Sequence, residues 1–203
     1  MNINEIREPI QERSIKKKDK IVEAGFELIC KKGYYNTNTA QIAKAAGVST
    51  GIVYQYFKDK HDILLEGIKR YATDIFYPMI NISVKDSITI KNLPIILNAM
   101  IKKFVENHRL SRSAHQEITS MIHSDEKIAT FFYEHELYMT KKISEILIEN
   151  GFNSENINEK VHISINLIDN LCHEIVYHNH DLINYDKMTD LVIKSICDLF
   201  NNI

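Results

Sequence analysis

Residues 47–57 have the sequence GVSTGIVYQYF and decide the fold of the N-terminal part of the chain. Gly47 tolerates the positive φ that a tight turn between two helices requires. Ala43, four residues earlier, is small enough for a close helix crossing, and Val48 can fill the turn. Val53 supplies an apolar anchor on the inner face of the helix that follows. The pattern predicts a helix-turn-helix.

The turn separates two short predicted helices, Thr39–Ala46 and Thr50–Phe57. Asn38 and Ser49 stand immediately before them, and both residue types accept hydrogen bonds from the unpaired N–H groups at a helix start. We therefore expect each short helix to be capped by its own preceding residue.

A longer helix is predicted on each side of this pair. Apolar residues recur at helical spacing across Ser14–Lys32, and a glycine follows two lysines there, which is typical of a helix C-terminus. Asp59 favours the start of a fourth helix, expected to end at about Pro78. Residues 1–13 have no clear apolar face and are expected to form a disordered arm. Residues 1–58 are thus predicted to be a three-helix DNA-binding domain.

The outward face of the third predicted helix suits the major groove of duplex DNA. Gln55 can bond an adenine edge through both groups of its amide, and Thr50 can reach a base or a phosphate. Tyrosine hydroxyls and a nearby lysine can bond phosphate oxygens. The predicted DNA-binding residues are Thr37, Asn38, Thr39, Ser49, Thr50, Gly51, Ile52, Tyr54, Gln55, Tyr56 and Lys60. The alternative is a small αα corner that packs aromatic side chains and binds no DNA.

Charge is distributed unevenly along the chain. Residues 1–60 carry 11 Lys and Arg against 7 Asp and Glu, whereas residues 61–203 carry 14 against 20. A basic N-terminal segment favours a nucleic-acid partner over an enzymatic role. The overall composition, 44% apolar and 26% charged, is that of an ordinary globular protein.

The sequence predicts a cytoplasmic protein without membrane contact. No apolar run approaches the roughly 18 residues of a membrane-spanning helix, and the N-terminus lacks the apolar stretch of a signal peptide. The three cysteines, Cys30, Cys172 and Cys197, are scattered without CxxC spacing, as expected of reduced thiols.

Residues 59–203 are predicted to form an antiparallel helical bundle, which makes the chain all-α with about nine helices. The chain has only 6 glycines and 3 prolines, and no segment alternates with the period of two that strands show. The predicted helices of this part cover Pro94–His108, Ser111–His123, Ser124–Asn150, 155–179 and Lys187–Asn201.

The segment TNTAQIAKAAGVSTGIVYQYFKDKHDIL resembles the DNA-binding signature of the TetR family of repressors, and the resemblance covers about residues 16–68. It implies a homodimeric repressor whose third helices enter successive major grooves of a pseudo-palindromic operator. It further implies that an unidentified small molecule, bound in the C-terminal domain, releases the operator. No cofactor is implied. The chain departs from the signature at Asn38, at Ile52, where a polar residue often contacts bases, and at His61 and Asp62.

The last two predicted helices carry apolar residues on two sides, and a helix of that kind must bury both. One side can pack on its own bundle. We expect the other to join a two-fold partner in a four-helix interface, as the resemblance implies. The alternative is that these helices are buried wholly inside one subunit.

A ligand pocket is predicted where polar and aromatic residues share inward faces at helical spacing. The candidates are Phe104, His108, His115, Phe131, His135, Tyr138, Asn166, Asp169, Asn170 and His173. A small-molecule site needs a cavity with a few convergent polar groups, and this mixture would suit an aromatic or amphipathic compound. The alternative is that several of these residues are exposed or are core groups with internal partners.

Two other functions compete with a ligand-responsive repressor. Asp169 and His173 lie one helical turn apart, but no nucleophile or oxyanion site accompanies them, so no enzyme is predicted. A DNA-binding architectural protein that senses no small molecule is the third hypothesis. No HExxH motif is present, and the HNHD segment at residues 178–181 is expected to be solvated, so no metal site is predicted.

Overall fold

The computed structural model describes residues 12–85, 87–110, 112–178 and 180–201, which contain helices and no strand. The helices in this part of the chain are α1 Glu12–Lys32, α2 Thr39–Ala45, α3 Thr50–Val53, α4 Lys60–Lys85, α5 Leu93–Leu110, α6 Arg112–Ser124, α7 Glu126–Glu149, α8 Ile157–Tyr177 and α9 Tyr185–Asn201. The all-α prediction and its helix count are confirmed.

The described residues form two compact units. A head unit comprises residues 12–73 and 113–128, and a body unit comprises the remainder. The head unit therefore extends beyond the 1–58 segment that the sequence assigns to DNA binding. It includes the start of α4 and most of α6.

The core of the head unit is aliphatic and close-packed. Its fully buried side chains include Ile21, Ile29, Ile42, Val53, Ile63, Leu64 and Ile68. Gly25 permits a close approach between helices, because a Cβ there would lie 2.5 Å from Ile63 Cγ2 and 3.1 Å from Ile42 Cγ2. The close packing of α1 against α2 and α4 at this point fixes the position of the helix-turn-helix, to which α2 belongs.

The core of the body unit lies where α5, α8 and α9 pack on one another. Its buried side chains include Leu97, Ile101, Val161, Ile168, Leu171 and Ile196. These residues recur at the three- and four-residue spacing that places them on one face of each helix.

The third helix is shorter than predicted, ending at Val53 instead of Phe57. Beyond it, the N–H of Gln55 donates to Ile52 O at 3.2 Å, and Val53 O accepts the N–H groups of both Tyr56 and Phe57 at 3.0 Å, so three- and four-residue hydrogen bonds are mixed there. Tyr56 and Phe57, three and four residues after Val53, are buried in the core with it.

The boundaries of α4 and α1 also differ from the predictions. α4 continues through Pro78 to Lys85. A proline removes one N–H donor, and the intact turns on either side of a long helix can outweigh that loss. α1 begins at Glu12, so residues 12 and 13 are helical. Residues 1–11 of the expected arm lie outside the described residues.

Candidate nucleic-acid interface

The turn of the helix-turn-helix has the predicted geometry. Gly47 has a φ of +67°, and its N–H donates to Lys44 O at 3.2 Å. The next N–H, of Val48, donates back to Ala43 O at 3.0 Å. Because a left-handed backbone is costly for a residue with a Cβ, glycine is the residue that lets the chain reverse here.

Asn38 caps α2 as predicted and does so reciprocally. Its Oδ1 accepts the N–H of Gln41 at 3.0 Å, while the Gln41 side-chain oxygen accepts the N–H of Asn38 at 3.1 Å. This capping box fixes the start of α2. Ser49 occupies the corresponding position before α3, but its side chain makes no capping hydrogen bond, so that part of the prediction is wrong.

The residues around α3 expose a small polar surface, residues 49–55, which we call the 49–55 segment. Ser49, Thr50, Gly51 and Gln55 are exposed, and Tyr54 keeps 47% of its surface. Thr39, at the start of α2, is half-buried, as is Ile52, while Val53 is fully buried beneath them. The segment therefore presents hydroxyl, amide and phenol groups outward from an apolar anchor.

Tyr56 does not belong to this surface, contrary to the prediction. Only 9% of its surface is exposed, and Phe57 beside it is 4% exposed. Tyr56 and Phe57 follow the buried Val53 by three and four residues, and this spacing places them on the same side as Val53. The aromatic pair anchors the 49–55 segment to the core.

The side chains of Thr37 and Lys60 also form hydrogen bonds with backbone carbonyls of the protein. The buried Thr37 hydroxyl donates to Gly33 O at 3.0 Å. The Lys60 ammonium donates to Tyr34 O at 2.6 Å and to Thr37 O at 2.8 Å, and it lies 4.2 Å from the centre of the Tyr34 ring. The Thr37 hydroxyl is therefore directed inward, while Lys60 is half-buried and its contact with DNA stays a prediction. Both side chains brace the loop that leads into α2.

Two acidic residues on and after α6 complete this bracing. The Glu117 carboxylate accepts the N–H of Tyr34 at 2.6 Å. The Asp125 carboxylate lies 2.7 Å from His61 Nε2 at the start of α4, and its other oxygen accepts the N–H groups of Lys127 and Ile128 at 3.0 and 3.1 Å. Polar contacts from α6 thus reach both the 34–37 loop and α4.

Burial and hydrogen bonding shift the pKa of Asp125 in opposite directions. Partial burial acts to raise the pKa, but the hydrogen bonds from Ile128, His61 and Lys127 outweigh it and hold the pKa below its ordinary value. The carboxylate is therefore ionised across the neutral range.

Sequence reasoning did not find Glu117 or Asp125, because each meets its head partner across more than 60 residues of chain. Helical periodicity marks which side of α6 is polar, but it does not say which distant backbone group that side meets. The one available signal was the departure at His61 from the family signature, since Asp125 is the partner of that histidine.

The structure brings together only part of the predicted ligand set. On α5 and α8, the His108 ring lies 4.5 Å from that of Phe104 and 5.3 Å from that of His173, measured between ring centres. His108 is buried and its Nδ1 donates to Phe104 O at 2.8 Å. Asp169 Oδ1 lies 3.7 Å from His173 Nε2.

Burial dominates the titration of this cluster. It lowers the pKa of His108 and of His173, and it raises the pKa of Asp169, while the neighbouring His108 acts in the opposite direction on that carboxyl. Tyr177 adds a hydrogen bond from its hydroxyl to His108 O at 3.1 Å. The cluster is held largely by its own internal contacts.

Of the other predicted ligand residues, Phe131, His135 and Tyr138 lie on α7, and Asn166 and Asn170 lie on α8. Phe131 and His135 stack on α7 with ring centres 5.8 Å apart, and burial lowers the pKa of His135. His115 is a half-buried residue of α6 in the head unit. Tyr138, Asn166 and Asn170 are exposed, so their predicted inward orientation is wrong.

The body unit contains an apolar cavity of about 50 Å³ that none of these ten residues lines. Its lining residues are Ile88, Leu93, Ile96, Leu97, Met100, Ile143, Leu147, Val161, Ser164, Ile165, Ile168, Ile196 and Phe200. Ser164 is the single polar side chain among them, and its hydroxyl donates to Lys160 O at 2.7 Å. The sequence did not predict this cavity, because its lining consists of core residues that carry no distinctive polar pattern.

A second, more open recess of about 350 Å³ adjoins this cavity. It is lined by Thr89, Ile90, Asn150, Gly151, Phe152, Asn153 and Phe200. Phe200 lines both spaces and meets Phe152 edge-on with ring centres 5.7 Å apart. Phe200 on α9 is therefore shared by the linings of the apolar cavity and of the recess, which contains both polar and apolar groups.

One group of possible metal ligands occurs in the described part of the head unit. Asp59, His61 and Asp62 have ligand atoms within 4.8 Å of one another at the start of α4. Asp59 already accepts the N–H groups of His61 and Asp62, and Asp62 accepts that of Lys58. Through these bonds the two carboxylates cap the start of α4. Among the described residues, no helix is long and apolar enough to span a membrane.

Comparison with known proteins agrees with this geometry. Residues 21–66 match the family described as bacterial regulatory proteins, tetR family, and this stretch contains the whole helix-turn-helix. The chain is 47% identical over 53 residues to the HTH-type transcriptional regulator HbdR of Aromatoleum sp. (strain CIB), covering 26% of this chain and 23% of that one.

A second relative matches further along the chain. The fatty acid metabolism regulator protein of Bacillus subtilis (strain 168) is 32% identical over 92 residues, covering 45% of this chain and 47% of that one. The matched stretches therefore span less than half the length of both curated relatives.

A solved structure matches over nearly the whole length. A TetR-family transcriptional regulator from Mesorhizobium loti MAFF303099, described there as putative, has a TM-score of 0.73 with 16% identity, covering 93% of this chain and 97% of that one. At that identity the likeness establishes the fold: an N-terminal helix-turn-helix followed by a C-terminal helical domain.

Proposed function

We propose a function from the premise that this chain is a TetR-family transcriptional regulator. It acts in the cytoplasm as a homodimeric repressor that binds a pseudo-palindromic DNA site and releases it when an apolar small molecule enters the body unit. The exposed polar surface of the 49–55 segment carries the proposal. A turn at Gly47 and an anchor at Val53 hold that surface away from the core.

The 49–55 segment supplies the base contacts of the proposed complex. Gln55 is exposed and can bond an adenine edge through both its amide groups, while Thr50 stands at the helix start that enters the groove. Ser49 and Tyr54 offer hydroxyl groups to phosphates. In a two-fold dimer the two segments must lie about 34–36 Å apart, or a multiple of that spacing, to meet one side of the duplex.

The dimer interface of the proposal lies on α8 and α9. These helices pack on each other within the body unit, yet Ile163 on α8 keeps 47% of its surface and Leu191 on α9 keeps 64%. Exposed aliphatic side chains on two adjacent helices favour burial against a second copy. Size-exclusion chromatography with light scattering should give the mass of a dimer, and a persistent monomer at micromolar concentration would contradict this part.

The effector of the proposal is a molecule with a long hydrocarbon chain and a polar end. The hydrocarbon enters the apolar cavity, whose lining is aliphatic and aromatic apart from Ser164, and the polar end stays in the recess with Asn150 and Asn153. The relative named a fatty acid metabolism regulator protein supports this class of compound.

Size determines how such a molecule must bind. A cavity of about 50 Å³ is far smaller than the roughly 300–1,000 Å³ of a typical ligand site. Movement of the Phe200 ring would join it to the recess of about 350 Å³. Binding is therefore coupled to a rearrangement of the body unit, which is the coupling that a ligand-responsive repressor needs.

Fluorescence anisotropy with the full chain tests DNA binding. The probe is a labelled duplex from the region upstream of the chain's own gene, compared with a scrambled duplex of equal length. Gln55→Ala should weaken binding to the preferred duplex by about 1–3 kcal/mol and relax its base preference. Gln116→Ala, an exposed glutamine on α6, is the matched control. Equal affinity of the wild-type chain for both duplexes would contradict sequence-specific binding.

The same complex tests the effector class. Oleate and palmitoyl-CoA should raise the dissociation constant for DNA by roughly 5- to 150-fold, the usual range of allosteric coupling, whereas butyrate should not. If no acyl compound changes the affinity although DNA binding is specific, the architectural alternative, which senses no small molecule, gains support instead.

A further inference from the structure

Two lysines stand at the entrance to α4, just after the 49–55 segment. Lys60 is the first residue of α4, and Lys58 precedes it by two positions. Both side chains carry a positive charge, so the sequence alone does not tell which of them is available to a DNA phosphate. The structure distinguishes them by burial, because Lys60 is half-buried and Lys58 is exposed.

The ammonium group of Lys60 is held by the protein itself. It donates to Tyr34 O at 2.6 Å and to Thr37 O at 2.8 Å, and it lies 4.2 Å from the centre of the Tyr34 ring. An ammonium has three donors, so these two bonds use most of its capacity. Contact with a phosphate in place of the carbonyls would break two part-buried hydrogen bonds, which is unfavourable.

The ammonium group of Lys58 is in a different situation. Among the described residues, it takes part in no hydrogen bond, ion pair or ring contact. The backbone of Lys58 is nevertheless fixed, because its N–H donates to Asp62 Oδ2 at 3.1 Å. Asp59, the next residue, accepts the N–H groups of His61 and Asp62 at 2.7 and 3.1 Å. Both nearby carboxylates thus cap α4, and Lys58 presents an exposed cation on a defined backbone.

Chain connectivity keeps Lys58 close to the residues proposed to contact bases. It follows the exposed Gln55 by three positions. Three residues span at most roughly 10–11 Å even when fully extended. Phosphates of one DNA strand recur about every 3.4 Å along the axis, so the Cα atoms of Gln55 and Lys58 are separated by no more than about three nucleotide steps. The flexible lysine stem can then direct its ammonium to a phosphate within that distance.

We propose that Lys58 is a DNA contact residue, whose ammonium binds a phosphate close to the bases that the 49–55 segment contacts. Lys60 is by contrast a positioning residue, which holds the loop of residues 34–37. This inference rests on the proposed function. A phosphate contact carries no direct sequence information, so Lys58 contributes affinity for any duplex. Lys60 acts through the stability of the head unit.

The test compares Lys58→Gln with Lys60→Gln in the full-length protein. Both variants are titrated with the specific and the scrambled duplex over a series of salt concentrations, and their thermal unfolding is measured without DNA. Lys58→Arg keeps the charge and is the conservative variant. Lys102→Gln, which removes a charge from an exposed position of α5 in the body unit, is the matched control.

Lys58→Gln should bind both duplexes more weakly, leave the ratio of their affinities unchanged and unfold at the wild-type temperature. The slope of log affinity against log salt should become shallower by about 0.9 for each phosphate no longer neutralised, hence by about 1.8 for a dimer with two copies of Lys58. Lys58→Arg and Lys102→Gln should keep the wild-type slope. Lys60→Gln should also keep it but unfold at a lower temperature, because hydrogen bonds to the 34–37 loop are lost.

A wild-type slope in Lys58→Gln would overturn the inference while leaving the proposed function intact. A changed ratio between the two duplexes would do the same, since Lys58 would then influence base recognition. A shallower slope in Lys60→Gln at unchanged thermal stability would reverse the assignment of the two lysines. Equal affinity of the wild-type chain for both duplexes would instead contradict the proposed function, and the slope on the scrambled duplex would still decide the role of Lys58.

Discussion

The Glu117 carboxylate on α6 accepts the backbone N–H of Tyr34 at 2.6 Å, although the two residues are 83 positions apart in the chain. Tyr34 begins the loop that leads into α2, and its carbonyl accepts the Lys60 ammonium from α4. One residue of this loop is therefore held by α6 and by α4 at the same time. The helix-turn-helix takes its position from contacts that no local sequence pattern encodes.

Loss of the Glu117 carboxylate should destabilise the head unit. In Glu117→Ala the part-buried N–H of Tyr34 loses its acceptor, which costs about 1–3 kcal/mol for a group left unpaired. Glu117→Gln keeps an acceptor oxygen and should cost less. Urea unfolding measures the change in free energy, and hydrogen exchange at the Tyr34 amide should be faster in the alanine variant.

The order of the two variants distinguishes this role from a general effect of charge. If the glutamine variant were as unstable as the alanine variant, the negative charge near Cys30 and Tyr34 would matter more than the hydrogen bond. Glu134→Ala, which removes an exposed carboxylate from α7 in the body unit, should leave stability unchanged.

The stability contributed by Asp125 should depend on pH in the acid range. Its folded-state pKa lies below the ordinary value of about 3.9, so its contribution is complete above that value and is lost as pH falls through the folded pKa. Asp125→Asn should therefore lower the free energy of unfolding at pH 7 by about 0.5–1.5 kcal/mol. The difference from wild type should shrink as the pH drops below about 4.

Urea unfolding of both proteins at a series of pH values measures this difference. Asp181→Asn, at an exposed position in the body unit, is the control and should show no comparable trend. A difference that stays constant down to the lowest pH at which the protein folds would mean that Asp125 acts through packing and not through its charge.

The elements that depend on neighbouring residues were predictable from the sequence. The turn at Gly47, the cap at Asn38 and most helix boundaries follow from backbone preferences and hydrogen bonds within four residues. The family signature lies in the same short stretch, because it encodes this local geometry together with the outward residues Thr50 and Gln55.

The side-chain partners of the head were not predictable in the same way. Lys60 was expected to bond DNA phosphates, yet it bonds two carbonyls of the 34–37 loop. Tyr56 was expected outward, yet it lies three residues after the buried Val53 and is buried with it. In both cases a lysine or tyrosine could serve either purpose, and tertiary packing decides which one it serves.

Truncation of Tyr56 should lower the free energy of unfolding, whereas truncation of Gln55 should leave it unchanged. Tyr56→Ala removes a buried aromatic ring and should cost about 3–5 kcal/mol of stability, the usual range for large buried aromatics, whereas Tyr56→Phe keeps the ring and should be nearly neutral. Gln55→Ala removes an exposed amide and should leave the free energy of unfolding unchanged. Thermal unfolding measured beside DNA affinity separates the two effects.

Two outcomes would contradict these expectations for Tyr56 and Gln55. Normal stability in Tyr56→Ala would mean that the ring is not part of the core of the head. A large loss of stability in Gln55→Ala would mean that its amide supports the fold, and its effect on DNA affinity could then no longer be attributed to base contact.

Filling the apolar cavity should separate ligand response from DNA binding. Ser164 is the single polar residue in the lining, and its hydroxyl bonds only a carbonyl of its own helix among the described contacts, at Lys160. Ser164→Leu extends apolar atoms into a space of about 50 Å³ and leaves no room there for a hydrocarbon chain. The added packing should change stability by no more than about 1–3 kcal/mol.

Without an acyl compound, the Ser164→Leu protein should bind its DNA duplex as wild type does, because the substitution lies in the body unit. With palmitoyl-CoA, it should keep that affinity, whereas the wild type and the control Ser154→Leu, at an exposed position before α8, should release the duplex. Full release of the Ser164→Leu protein would place the hydrocarbon outside this cavity. Its binding site would then have to be sought among the other spaces of the body unit, beginning with the recess on the far side of Phe200.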